Sequence, residues 1–108
     1  MSKVAVITGA SGGIGTAVAR RLAAQGCYVV LGYCRSREKA ESLCRELREA
    51  GGEAVSFRAD LTKAEEAKAL IEFAVQQYGH LDILVNNAGI SQIKLFTDIT
   101  QEDWQRMF

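Results

Sequence analysis

The chain has 108 residues, about one small domain, which is short for an enzyme that must hold both a cofactor and a substrate. Apolar residues make up 48% and charged residues 24% of the chain, a balance that excludes a disordered or fibrous protein. Thirteen basic residues match thirteen acidic ones, which argues against nucleic acid and anionic membranes as partners.

The first predicted elements are a strand, a glycine-rich loop and a helix. Residues 4–7 form a continuous apolar run, which is typical of a strand buried on both faces. The loop at residues 8–15, TGASGGIG, ends that run. Apolar positions at helical spacing then predict a helix from Ile14 to about Gln25, and Gly26 stands where such a helix ends.

The strand and helix pattern then repeats. Residues 28–31 resemble a second strand, and Ser36 can cap a helix that the pair Gly51-Gly52 ends. A third strand is predicted at about residues 54–58. The first half of the chain therefore reads as β-α-β-α-β.

A capping box at residues 62–65 opens a third helix, which Gly79 ends, and residues 83–85 form a fourth strand. Residues 100–103 resemble the start of one more helix. The alternation predicts an α/β fold, a Rossmann-type doubly wound parallel sheet of about four strands. We expect residues 1–108 to form one domain that is incomplete at its C-terminus, with the outer edge of the fourth strand unpaired.

The glycine loop has the features of a phosphate site, because the first N–H groups of a helix are unpaired and its dipole is positive there. Gly9 allows the sharp turn, Gly13 lets the backbone approach phosphates, and Gly15 permits close packing of helix on strand. Within a βαβ unit of about 30 residues, such a loop predicts a dinucleotide site. No P-loop pattern is present, while a methyltransferase remains an alternative on topology alone.

The loop resembles that of the short-chain dehydrogenase/reductase family, whose pattern Thr-Gly-x-x-x-Gly-x-Gly begins here at Thr8. Because residue 12 is also glycine, the loop equally fits the pattern of the longer, extended relatives. The segment Asn-Asn-Ala-Gly at residues 86–89 resembles the shorter branch. Together with residues 82–90 and 102–104, it makes the whole chain most similar to 3-oxoacyl-[acyl-carrier-protein] reductases.

The resemblance implies contacts to the cofactor. Asp60 and Leu61 match the acidic and apolar pair that flanks the adenine, while the alternative for Asp60 is a helix-capping carboxylate. Asn87 would bond beside the nicotinamide ribose and Asn86 would tie neighbouring strands, the alternative being a plain turn. The predicted cofactor-binding residues are Gly9, Ser11, Gly13, Ile14, Gly15, Cys34, Arg35, Asp60, Leu61, Asn87, Ala88 and Gly89.

The end of the second strand favours NADP over NAD. An NAD site usually places an acidic residue there to hold the ribose 2′-hydroxyl, whereas residues 32–35 are Gly-Tyr-Cys-Arg. Arg35 and Arg37 could instead bind a 2′-phosphate. Against this, Gly12 stands where many NADP-using relatives carry a basic residue. The alternative for both arginines is that they are solvent-exposed residues at the start of a helix.

The resemblance also implies hydride transfer to a carbonyl by a Ser and a Tyr-x-x-x-Lys pair downstream of residues 86–89. No tyrosine here has a lysine four residues on, and Ser11 and Ser91 lack a base partner, so no catalytic residue is assigned. The sequence predicts the NADP(H)-binding part of an enzyme that reduces a 3-oxoacyl thioester or similar carbonyl, inactive alone. The alternative is a non-catalytic dinucleotide-binding module that acts through a partner.

The remaining reactive residues give little sign of a second site. Cys27, Cys34 and Cys44 are odd in number and lack metal-ligand spacing, so we expect reduced thiols and no metal, with a reactive Cys34 beside the cofactor as the alternative. His80 is predicted to be a surface residue.

Two further expectations concern location and assembly. No apolar run approaches the roughly 20 residues that span a bilayer, and the N-terminus has no signal-peptide pattern, so a cytoplasmic protein without a membrane partner is predicted. An apolar cluster at Trp104, Met107 and Phe108 on the predicted last helix is expected to pack against the sheet or against a partner subunit. In the family that helix contributes to a dimer interface, so the resemblance implies a homo-oligomer.

Overall fold

The computed structural model describes residues 2–9, 13–86 and 92–99. Its elements are β1 (Val4–Thr8), α1 (Gly13–Ala24), β2 (Tyr28–Tyr33), α2 (Arg37–Glu49), β3 (Glu53–Arg58), α3 (Ala64–Tyr78), β4 (Leu81–Asn86) and β5 (Gln92–Ile99). The four strands and three helices predicted up to residue 86 are confirmed, with ends that shift by a few residues. The helix start predicted at residues 100–103 lies outside the described part of the chain.

The strands form one sheet in the order β3-β2-β1-β4-β5, and β1 to β4 are parallel. The chain moves outward from β1 to β3, then crosses back to place β4 on the other side of β1. This reversal is the topological switch point of Rossmann-type folds, where ligands bind beyond the carboxyl ends of the strands. The predicted fold class is therefore confirmed.

Two apolar layers hold the sheet between its helices. On one face, Ala5 and Ile7 of β1 belong to a cluster with Leu43 and Leu47 of α2 and with Ala19 of α1. On the opposite face, alternate residues of β1 pack with α3, in a cluster that includes Val4, Val6, Leu70, Ile71 and Ala74. Because β1 is fully buried on both faces, its sequence is a continuous apolar run rather than an alternating one.

The expectation of an unpaired edge at β4 is wrong. β5 pairs with β4 in antiparallel fashion, from Asn86 opposite Gln92 to Leu81 opposite Ile99, with a register shift between Leu81 and Ile83. An antiparallel strand can follow its neighbour after a short connection, without the helix that a parallel crossover needs. The alternation of Ile93, Leu95 and Ile99 with polar residues was the strand signal in the sequence.

The helix ends show which predicted caps form. Gly79 ends α3 in the left-handed conformation with a φ of 91°, as expected. Ser36 precedes α2 but makes no side-chain capping bond. The capping box predicted at residues 62–65 does not form, because α3 begins one residue later and Lys63 takes the N-cap position. The side chain of Thr62 bonds to Asp60 instead.

Candidate functional site

A cleft of about 460 Å³ opens at the carboxyl ends of β1, β2 and β3. Five residues predicted to bind a cofactor line it together, although they come from three separate segments of the chain: Gly9, Cys34, Arg35, Asp60 and Leu61. Parallel strands end at the same edge of the sheet, which is the reason that these distant segments meet.

The glycine loop enters the cleft from β1. Gly9 adopts a left-handed φ of 64°, a conformation that favours glycine, and so turns the chain off the strand. Gly13 begins α1 with open space where a side chain would be, and Gly15 is buried in the first turn of that helix. Ile14, also predicted to contact the cofactor, is 65% exposed. The start of α1 at Gly13 thus has open space where a side chain would lie.

Four predicted site residues lie outside the described part of the chain. They are Ser11 in the glycine loop and Asn87, Ala88 and Gly89 after β4. The Thr8 hydroxyl donates a buried hydrogen bond of 3.3 Å to the Val85 carbonyl and joins the carboxyl end of β1 to that of β4. The two strand ends that flank the predicted nicotinamide side are therefore held together.

The end of β2 forms one wall of the cleft with Tyr33, Cys34 and Arg35. Among the described residues that line the cleft, Asp60 is the only acid and Arg35 the only base. The second arginine of the prediction points elsewhere, since the Nε of Arg37 lies 2.8 Å from the Glu41 carboxylate one turn along α2. The hydrogen bond to Glu41 raises the pKa of Arg37. Arg35 is thus the arginine that the fold brings to the cleft.

The end of β3 forms the opposite wall with a turn at residues 59–63. The Ala59 N–H donates to the Tyr33 carbonyl over 2.8 Å, which extends the pairing of β3 with β2 as far as the cleft. Asp60 accepts two hydrogen bonds at Oδ1, from the Thr62 hydroxyl at 2.7 Å and from the Thr62 backbone N–H at 3.0 Å. These bonds, the hydroxyl one first, lower the pKa of Asp60 and keep it ionised. Its second carboxylate oxygen, Oδ2, is the one that neither bond uses.

The cleft also contains residues that sequence reasoning did not select, among them Gly32, Thr62 and Leu70. A Cβ on Gly32 would lie 2.9 Å from the Cδ2 of Leu70, so glycine at this position makes room for the leucine. The packing of α3 against the sheet places Leu70 at the cleft.

The other candidate residues lie apart from the cleft. Cys27 and Cys44 are buried free thiols, unlike Cys34, which is exposed and lines the cleft. No group of three or more metal-ligating side chains occurs among residues 2–9, 13–86 and 92–99. His80, which was predicted to be a surface residue, has a side chain that is 22% exposed, and its Nε2 lies 2.9 Å from Asp82 and 3.2 Å from the Ser2 carbonyl. Over the same residues, no helix is both long and apolar enough to cross a membrane.

The sheet order, the glycine loop before α1 and the cleft at the carboxyl ends of the strands define a Rossmann-type α/β protein of the nucleotide-binding class. Within this class, the sequence profile of the short chain dehydrogenases matches residues 3–108. The chain belongs to the short chain dehydrogenase family.

Three relatives illustrate the match. The 3-oxoacyl-[acyl-carrier-protein] reductase of Staphylococcus aureus is 41% identical over 104 residues, which are 96% of this chain and 42% of that protein. A metagenomic short-chain oxidoreductase in complex with NADP is 45% identical, with a TM-score of 0.76 over 83% of this chain and 41% of its own. A short-chain dehydrogenase/reductase from Burkholderia phymatum in complex with NAD is 34% identical, with a TM-score of 0.73 over 77% of this chain and 29% of its own. The chain spans about two fifths of the length of the curated relatives it matches.

Proposed function

We propose that the chain binds NADP(H) in the cleft at the carboxyl ends of β1 to β3. The main support for this proposal is Arg35, a cation at the end of β2, where an NAD site usually has an acidic residue. A carboxylate at that position would repel a 2′-phosphate, whereas a guanidinium can form charge-assisted hydrogen bonds with it. The NADP complex of the metagenomic relative supports the choice, and the NAD complex of the Burkholderia relative supports the wider class of cofactor.

The residues of the cleft fit such a group. The open space at Gly13 and the left-handed Gly9 suit a pyrophosphate, since backbone N–H groups at a helix N-terminus favour anions. Asp60 is ionised and has an oxygen available to accept from an adenine amine, with Leu61 beside it. Asn87, Ala88 and Gly89 would contact the nicotinamide end, and Ser11 and Ile14 the phosphates.

In the complete protein, we propose the reduction of a carbonyl, with a 3-oxoacyl thioester as the substrate class that the Staphylococcus aureus relative suggests. The bound nicotinamide would supply the hydride. The residues of this chain would bind and orient the cofactor, while the groups that protonate the carbonyl would lie in the part of the relatives that this chain does not cover.

Titration of the chain with NADPH, NADH and S-adenosylmethionine tests the binding proposal. We expect NADPH to bind about tenfold or more tightly than NADH, because one charge-assisted contact to the 2′-phosphate accounts for such a factor. Arg35→Ala should remove this preference and leave the affinity for NADH unchanged. Arg37→Ala is the matched control, since Arg37 is paired with Glu41, and it should keep the preference.

Two results would contradict the proposal. Equal or tighter binding of NADH would show that the preference for NADP is wrong while the dinucleotide site remains. Binding of S-adenosylmethionine without either dinucleotide would favour a methyltransferase-like site instead.

A further inference from the structure

Glu66, in the first turn of α3, makes a hydrogen bond that leaves its own helix. Its Oε1 accepts the backbone N–H of Asp60 at 2.9 Å, six residues back along the chain. With Lys63 as N-cap, Glu66 occupies the third helical position, from which a capping-box glutamate normally bonds to the N–H of the cap residue. That N–H is already donated to the Asp60 carbonyl, over 3.0 Å. The carboxylate therefore reaches past the cap and into the wall of the cleft.

The turn that Glu66 contacts is otherwise bonded within itself or to β2. The N–H of Ala59 pairs with Tyr33, and the N–H groups of Thr62 and Lys63 both donate to Asp60. The Asp60 N–H is the one that a side chain of α3 satisfies. This bond is thus a direct link between α3 and the residue whose carboxylate is proposed to accept from the adenine amine.

Glu66 is held in place from two further sides. Its Oε2 lies 3.6 Å from the Lys63 ammonium, and its Oε1 lies 3.9 Å from the Arg58 guanidinium at the end of β3. Its side chain is 30% exposed, compared with 63% for each cation. The two cations lie beside the carboxylate that accepts the Asp60 N–H, and their charge favours its ionised form.

We infer that Glu66 is a positioning residue for adenine recognition: by holding the Asp60 backbone, it fixes the direction in which the Asp60 carboxylate meets the adenine amine. The inference rests on the proposed function, which supplies the adenine. A simpler role, as a negative charge near the positive end of the α3 dipole, would stabilise the helix without affecting the preference for adenine over another nucleobase.

Two dinucleotides and three variants separate these roles. The probes are NADPH and its analogue with hypoxanthine in place of adenine, which lacks the exocyclic amine. We expect the parent chain to prefer NADPH, and Glu66→Ala to reduce that preference by about threefold or more, the effect of losing one hydrogen bond. Glu66→Gln should restore it, because the amide oxygen can still accept the Asp60 N–H. The neighbouring exposed Glu65 provides the control Glu65→Ala, which should behave like the parent.

A role in helix stability alone gives a different pattern. Glu66→Gln would then fail to restore the preference for NADPH, because it removes the charge as fully as alanine does. Alternatively, Glu66→Ala would lower the affinity for both dinucleotides by the same factor. Either result overturns the inference. If the parent chain binds neither dinucleotide, the proposed function fails first and the inference falls with it.

Amide hydrogen exchange at Asp60 checks the bond without any ligand. Exchange at this N–H should become about tenfold or more faster in Glu66→Ala, since the bond that protects it is lost, and should stay slow in Glu66→Gln. Unchanged exchange in Glu66→Ala overturns the inference whatever the dinucleotides do, and this readout tells its failure apart from that of the proposed function.

Discussion

The three cysteines differ in burial, and burial controls the chemistry of a thiol. Cys44 is 2% exposed and Cys27 is 8% exposed, whereas Cys34 is exposed at the lip of the cleft. Desolvation raises the pKa of both Cys27 and Cys44 and so disfavours the thiolate that reacts. Of the three cysteines, Cys34 is therefore the one that is both accessible to reagents and located at the proposed binding cleft.

Labelling of the folded chain with a thiol reagent should modify one cysteine at least about tenfold faster than the other two, because the buried pair react only when the structure opens. Saturating NADPH should slow this fast reaction, since Cys34 lines the cleft. The rates are read by mass spectrometry of peptides, with Cys34→Ser as the control that removes the fast phase. Fast labelling of Cys27 or Cys44 in the folded chain would contradict the prediction.

At the scale of elements, Asp82 of β4 holds the beginning of β1. Its Oδ2 accepts the Val4 N–H at 2.8 Å, and the side chain of Val4 is fully buried. The same Oδ2 lies 2.9 Å from His80, whose Nε2 also lies 3.2 Å from the Ser2 carbonyl. Both partners of this nitrogen are acceptors, so Nε2 carries a proton. The Asp82 carboxylate thus connects the start of β1 to β4 at the amino ends of the parallel strands, away from the cleft.

Replacement of Asp82 by alanine leaves the buried Val4 N–H without its acceptor. We expect a loss of about 1–3 kcal/mol in the free energy of unfolding, measured by urea denaturation. Asp82→Asn should lose less, because an amide oxygen can still accept the bond. Glu49→Ala, at an exposed position near the end of α2, should change stability by less than about 0.5 kcal/mol. If Asp82→Ala were as mild as this control, the proposed fastening of β1 would be wrong.

At the scale of the whole molecule, the sheet separates two apolar layers. Ile7 belongs to the cluster beneath α1 and α2, and Ile71 to the cluster beneath α3. Side chains on opposite faces of one strand do not share a cavity. A void made on one face should therefore leave the packing on the other face unchanged. The effects of substitutions in the two layers on the free energy of unfolding should accordingly be nearly additive.

Ile7→Val and Ile71→Val should each cost about 0.5–1.5 kcal/mol in the free energy of unfolding, and the double variant should cost their sum to within about 0.5 kcal/mol. Ile7→Val combined with Ile83→Val provides the comparison, because these two residues share one cluster, and its departure from additivity should be larger. A larger departure for the cross-face pair would show that the layers are coupled.

The sequence by itself determined the four parallel strands, the three helices and the Rossmann-type fold, because each rests on local physics. The buried run of β1, the helical spacing of α2 and the left-handed Gly79 are all readable from neighbouring residues. The family was readable for the same reason, since its motifs are short and contiguous. β5 was missed although its alternation was visible, because the choice of a partner strand depends on an edge that exists only once the sheet has formed.

Only the tertiary structure decided which residues share the cleft and what each is free to do. The sequence named Arg35 and Arg37 as possible partners of a 2′-phosphate, and the fold brings Arg35 to the cleft while Arg37 pairs with Glu41. From the sequence, Asp60 could either contact the adenine or cap a helix. In the structure, its Oδ1 accepts a hydrogen bond from Thr62, and its N–H donates one to Glu66. A side chain's partners are set by distances across the sheet edge, and spacing along the chain does not encode those distances.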